Sequence, residues 1–193
     1  MNRYHRRLCR SAKWRKRIEP RMAWVLDGLE LGPEVLEVGP GPGLTTDRLK
    51  KMVTHVTAIE IDPDLADSLS RRMQGSNVTV IKGDASSIPF EEAMFSAAVS
   101  FTMLHHVPSR ELQDKILREV YRVLKPGGVF AGSDSLPSFS MRLIHIGDTM
   151  VLVDPKTFGP RLEAAGFRDI LIEPAGQAFR FRARRPPEVR AQA

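Results

Sequence analysis

Val35-Leu36-Glu37-Val38-Gly39-Pro40-Gly41-Pro42-Gly43-Leu44-Thr45-Thr46 decides how this 193-residue chain folds. A short apolar run reads as a buried strand, and a helix is expected from about Thr45 to Met52. Between them, glycines at 39, 41 and 43 leave the backbone without Cβ hindrance, so a ligand can approach it closely. The helix start then presents N–H donors that no helical carbonyl takes. The G-x-G-x-G spacing departs from the G-x-G-x-x-G dinucleotide fingerprint, and Pro40 and Pro42 remove donors that a pyrophosphate needs.

The same alternation continues on the C-terminal side. Val56–Ile59, Val78–Ile81, Ala97–Phe101 and Val129–Gly132 read as further strands. Between them fall a helix opened by Asp62-Pro63 and one from Ser109 to Leu124, the latter closed by Lys125-Pro126-Gly127-Gly128. Strands alternating with helices predict a doubly wound α/β fold, its parallel sheet covered on both faces. At the end, Ile170–Ile172 and Phe179–Ala183 flank a short Pro174–Gln177 turn and predict an antiparallel hairpin at one edge. Two acids fall at strand ends on the ligand-binding edge. Glu60 lies 21 positions after Gly39, where an acid can take both ribose hydroxyls, and Asp84, in Gly83-Asp84-Ala85, can accept an adenine amino group.

Upstream, residues 3–30 carry apolar positions at helical spacing, with a break expected at Pro20, so two helices form a cap segment over 1–30. The cofactor-binding domain is expected over 31–184 and a basic, loose tail over 185–193. The chain is 42% hydrophobic and 27% charged, enough for one domain with an ordinary core. No apolar run approaches a membrane span and no h-region follows Met1. A single cysteine, Cys9, excludes an internal disulfide framework, and a cytoplasmic location is expected. The net charge of +6 is uneven. Residues 1–21 hold nine Arg or Lys against one acid, residues 180–193 five Arg against one, and the body between is acidic. Such ends suit nucleic acid or an anionic surface, and equally a solvated helix face.

From Val35 to about Val129 the sequence resembles the class I S-adenosylmethionine-dependent methyltransferases. Leu36–Gly43 is similar to the family's first motif, Ala58–Asp62 to its ribose motif, Lys82–Ala85 to its adenine motif, and Leu117–Gly128 to the helix and turn before strand five. The resemblance implies a seven-stranded Rossmann-like sheet with its last strand antiparallel, and S-adenosyl-L-methionine as the cofactor. It further implies that Glu37, Gly39, Pro40, Gly41 and Gly43 surround the methionine part, Glu60 holds the ribose, Ile61 packs on adenine, and Asp84 with Ala85 reads its edge. Phe101 and Thr102 would face the cofactor.

The first motifs also resemble the ribosomal RNA adenine dimethyltransferases, which keeps an RNA acceptor, or a non-catalytic RNA- or membrane-surface module, as the alternative. Those enzymes carry an Asn/Asp-Pro-aromatic turn after strand four and a further C-terminal helical domain. This chain instead reads Ser100-Phe101-Thr102-Met103-Leu104-His105-His106-Val107-Pro108, and Asp154-Pro155 precedes a later helix. Phe-x-x-Leu-His-His-Val resembles the small-molecule branch, methyltransferase type 11-like, whose acceptors include quinones, polyketides and lipids. The expected acceptor is a small-molecule or lipid-like compound, with His105 or His106 as a possible base. The long Leu136–Val153 segment supplies Phe139, His145 and Met150 as pocket residues, with Tyr4 reaching in from the cap. The five histidines lack a His-x-x-x-His pair near carboxylates, so no metal is expected.

Overall fold

Ser11 opens the first helix described, α1 (Ala12–Leu26), by accepting from the Trp14 N–H. The computed structural model describes residues 7, 8 and 11–188. Strands and helices then alternate: β1 (Glu34–Val38), α2 (Leu44–Leu49), β2 (His55–Glu60), α3 (Pro63–Arg72), β3 (Val78–Lys82) and β4 (Phe95–Phe101). A 3₁₀ turn (Leu104–His106) leads to α4 (Arg110–Val123), β5 (Leu124–Ser135), α5 (Phe139–Ile144), α6 (Pro155–Ala164), β6 (Arg168–Ala175) and β7 (Ala178–Arg184). Capping acids and hydroxyls set the helix starts. Asp62 accepts from the Asp64 and Leu65 N–H groups ahead of Pro63, and Ser109 accepts from that of Leu112.

The seven strands form one sheet in the order β3-β2-β1-β4-β5-β7-β6. The first five pair in parallel, while β7 runs antiparallel to both β5 and β6. Helices cover both faces. Leu36, Val38, Ala98 and Phe130 meet Leu117 and Val120 of α4 and the Phe158, Phe167, Phe179 and Phe181 cluster. On the other face Val35, Ala97, Val99 and Ala131 meet Ile18, Met22, Val25 and Leu26 of α1. A strand covered on both faces is apolar throughout, which is why the central runs show no alternation.

The expected break at Pro20 does not occur, and α1 runs through it. Ile18 and Met22, on either side of Pro20, are both buried in the core, while Pro20 faces solvent. Packing on both flanks offsets one lost helical hydrogen bond. Likewise β5 begins at Leu124, through Lys125–Gly128, because Leu124 pairs with Phe95 before the register shifts to Ala97–Val129. Arg185, assigned to the loose tail, is anchored. Its N–H donates to the Gly128 carbonyl and its own carbonyl accepts from the Gly127 N–H.

The chain winds outward from β1 through β2 and β3, then crosses back to β4. The connections after β1 and β4 therefore leave in opposite directions and open a crevice at the carboxyl ends of the strands.

Candidate active site

A cavity of about 310 Å³ fills that crevice. One wall is the glycine turn with the ends of β2 and β3. Gly39, Pro40 and Gly41 line it together with Glu60, Ile61, Asp84, Ala85 and Ser86. Glu60 joins the two halves of this wall. One carboxylate oxygen accepts from the Gly41 N–H at 2.9 Å and the other from the Asp62 N–H at 2.9 Å. Burial raises the Glu60 pKa, and these backbone donors work against that shift. Asp84 accepts from the Ser86 N–H at 2.8 Å, which shapes its turn. Ile61 stands 70% exposed beside the cavity, an apolar surface with no core around it.

Two expected cofactor residues stand behind this wall rather than on it. Glu37 is buried in β1 and accepts from the Thr46 hydroxyl at 2.6 Å, tying the strand to α2. Burial pushes its carboxyl up to about 8. Gly43 is left-handed, and a Cβ there would meet Leu69 at 2.4 Å and Arg72 at 2.3 Å. That glycine lets α3 close on the turn, where Arg72 donates to the Pro42 carbonyl at 2.8 Å. Gly39 makes room in the same way, for the Met103 side chain.

The opposite end of the cavity is built from the segment after β4. Phe101 and Thr102 line it, and Thr102 has φ +52°, a left-handed conformation that a β-branched residue seldom adopts. Its N–H donates to the Ser133 carbonyl at 2.8 Å, which holds the bend. The 3₁₀ turn then brings His105 and His106 to the wall. His105 is buried, its Nδ1 lies 2.5 Å from Asp134 Oδ1, and its backbone N–H donates to Asp134 Oδ2 at 3.2 Å. With Asp134 accepting, Nδ1 carries the hydrogen and Nε2 the lone pair. Gln113 pins the loop from below by donating to the carbonyls of Leu104 and Val151, and Arg161 donates to Gln113.

The cap contributes His145 and Met141, but not every residue expected of it. Phe139 is 78% exposed, and neither it nor Met150 lines the cavity. In the short helix α5, Met141 and the following His145 are four apart and share the inward face, which turns Phe139 and Leu143 outward. Tyr4 lies outside the described residues. From α1, Trp14, Arg17 and Ile18 close the cavity, and from α4 Leu112 and Ile116 do. The four-residue spacing of Leu112 and Ile116 marks one helix face in the sequence, yet nothing local separates a cavity face from a core face. No described helix is long and apolar enough to cross a membrane.

Comparison with known proteins agrees with this architecture. Residues 36–132, half of the chain, match the family described as Methyltransferase domain. Over 148 residues, 75% of this chain, it is 28% identical to chloroplastic 2-methyl-6-phytyl-1,4-hydroquinone methyltransferase 1 of Oryza sativa subsp. japonica, of which it covers 44%. Over 81 residues, 37% of this chain, it is 41% identical to a protein of Methanothermobacter thermautotrophicus named "Probable ribosomal RNA small subunit methyltransferase A", of which it covers 30%. The chain thus spans less than half the length of either curated relative. Among solved structures, phosphoethanolamine N-methyltransferase 2 of Haemonchus contortus, in complex with S-adenosyl-L-methionine, superposes with a TM-score of 0.73 at 15% identity, covering 96% of this chain and 60% of that one. By family match and fold, this chain belongs to the methyltransferase domain family.

Proposed function

We propose that the chain transfers a methyl group from S-adenosyl-L-methionine to a small-molecule or lipid-like acceptor held between the cap and the segment after β4. The observation that carries this reading is one cavity with strand-end acids at one end and an imidazole cluster at the other.

The residues present fit the cofactor. Each Glu60 oxygen, already accepting one backbone N–H, keeps lone pairs for a ribose hydroxyl. Ile61 offers a flat apolar contact to adenine, and Asp84 with Ala85 borders the site of its amino edge. Gly39, Pro40 and Gly41 form the floor under the methionine part, with Glu37 and Gly43 supporting it from behind. The sulfonium supplies the methyl: as the acceptor–carbon bond forms, the carbon–sulfur bond breaks and sulfur keeps the electron pair. The protein's part is alignment and the exclusion of water, because charge is lost from sulfur and no anion needs strong stabilisation. Where the acceptor arrives protonated, Nε2 of His105, oriented by Asp134, is placed to accept its proton.

An RNA acceptor fits less well. Four of the five arginines in 180–193 donate to backbone carbonyls of the fold itself. Thermal melting with S-adenosylhomocysteine tests the cofactor assignment. At 100 times its dissociation constant the ligand adds about 2.7 kcal/mol of stability, and Glu60→Ala abolishes the shift while leaving the unliganded melt cooperative. An unshifted melt of the unaltered protein at millimolar ligand refutes the reading.

A further inference from the structure

Three imidazoles meet where α5 closes over the cavity. His105 and His106 come from the turn after β4, and His145 arrives from forty residues away in sequence at the end of α5. Ring centroids lie 4.2 Å apart for His105–His106, 5.1 Å for His105–His145 and 5.0 Å for His106–His145. One ligating nitrogen from each lies within 4.8 Å of the others.

We propose that His105, His106 and His145 hold a single zinc-type divalent ion at the acceptor end of the cavity, its fourth position open to the cavity. Two features of the surroundings favour an ion over a simple stack of rings. The first is how the outer nitrogens are held. His105 gives Nδ1 to the Asp134 carboxylate, and His145 gives Nδ1 to the Met141 carbonyl at 2.8 Å. Both rings are thereby fixed with Nε2 as the lone-pair atom, the arrangement that orients histidines around a metal. The second is charge. Asp134 is 1% exposed and interacts with the partly buried Arg21 guanidinium, and a dication one imidazole away adds to that balance.

The chemistry of the ligand set selects the ion. Three imidazoles with no carboxylate among them suit zinc and its neighbours and not calcium or magnesium. At Zn–N distances of about 2.0–2.1 Å, tetrahedral ligand nitrogens stand roughly 3.4 Å apart. The rings therefore draw inward by about an ångström by side-chain rotation, within reach of a helix of only six residues. The role of the ion rests on the methyl-transfer reading above. An acceptor hydroxyl at the open position loses its proton to water more easily, and its oxygen then attacks the methyl as the carbon–sulfur bond breaks. This names the acceptor class as a hydroxyl compound, and gives the ion the task otherwise left to a free His105.

The test uses the full chain after dialysis against a chelator, titrated with Co²⁺ and read by visible absorption. The expected result is one Co²⁺ per chain with the intense bands of a four- or five-coordinate site, bleached by Zn²⁺. His106→Gln and His145→Gln each weaken Co²⁺ binding by more than about tenfold, and Asp134→Asn, which loosens only the orientation of His105, by about 10–100-fold. Absence of bands at excess Co²⁺, or an affinity unchanged from the unaltered protein in either histidine variant, overturns the proposal. S-adenosylhomocysteine melting of the same preparations checks that each variant is folded and separates the two readings. A lost melting shift with intact Co²⁺ bands refutes the cofactor assignment, whereas lost bands with an intact shift refute the metal site.

Discussion

Glu37 and Glu60 are two carboxyls at the ends of adjacent strands, and their surroundings give them different tasks. Glu60 keeps backbone donors on both oxygens and faces the cavity. Glu37 has the Thr46 hydroxyl and a buried site, and desolvation pushes its pKa up to about 8, against roughly 4.3 for an ordinary glutamate. The folded chain thus keeps a proton that the unfolded chain releases above the ordinary range. The stability contributed here is intact at low pH and is lost progressively as pH rises from about 4.5 towards 8. Glu37→Gln preserves a partner for Thr46 and removes the linkage. Between pH 5.5 and 7.5, urea unfolding of the unaltered protein is expected to lose up to about 1.4 kcal/mol per pH unit more than the variant. Parallel stability curves for the two proteins would show that Glu37 is already charged. The sequence pointed to Glu60 because it closes an apolar run 21 positions after Gly39, and to Glu37 through the resemblance of Leu36–Gly43 to the family's first motif. It could not tell which of them meets ligand, because that depends on the direction each side chain takes from its strand.

Elements whose burial is settled within a dozen residues were legible, and those settled by distant partners were not. The central strands announce themselves as apolar runs, and Asp62-Pro63 and Ser109 mark helix starts through hydrogen bonds made within one turn. Pro20 misleads because what keeps α1 whole lies across the chain, on β4, β5 and β7. The last carbonyls of α1 are met by arginines that the sequence displays only as a basic terminus. Arg180 donates to the Trp24 carbonyl, pairs with Glu173 and lies over the Trp24 ring, and Arg182 donates to the carbonyls of Val25 and Asp27. Cations at a helix C-terminus are favourable, and a charged donor to such a carbonyl contributes about 1.5–3 kcal/mol. Arg180→Met is therefore expected to cost roughly 2 kcal/mol in urea unfolding. The loss should be local as well, with faster amide exchange across residues 12–26 before the central strands change. Uniform loss of protection over the whole sheet would mean that α1 is not held by this contact. The same reasoning explains the histidine cluster. No spacing rule connects His145 to His105 and His106, since only closure of α5 over the cavity brings them together.

At the scale of the whole molecule, the question is where the positive charge goes. Read as a string, the chain has two basic ends around an acidic body and invites a polyanion. Folding ties the described arginines of the C-terminal end to the chain's own carbonyls. Arg184 donates to the Gly127 carbonyl, and Arg185 donates to those of Tyr121, Arg122 and Leu124 while its guanidinium lies 5.1 Å over the Tyr121 ring. Arg17 donates to Gln177 and closes the cavity, and burial lowers the pKa of Arg21. A guanidinium committed to carbonyls releases few counterions when a phosphate arrives, so it adds little to the salt dependence of RNA binding. For single strands each neutralised phosphate contributes about −0.7 to the slope of log affinity against log salt. Arg184→Gln and Arg185→Gln together are expected to leave that slope unchanged for a generic single-stranded RNA, whatever the residual affinity. Two lost phosphate contacts would instead flatten it by about 1.4. A flattening of that size would place these arginines on a nucleic-acid surface and return the RNA acceptor to the front. An unchanged slope leaves the cavity under α1 and α5 as the place where the acceptor is chosen.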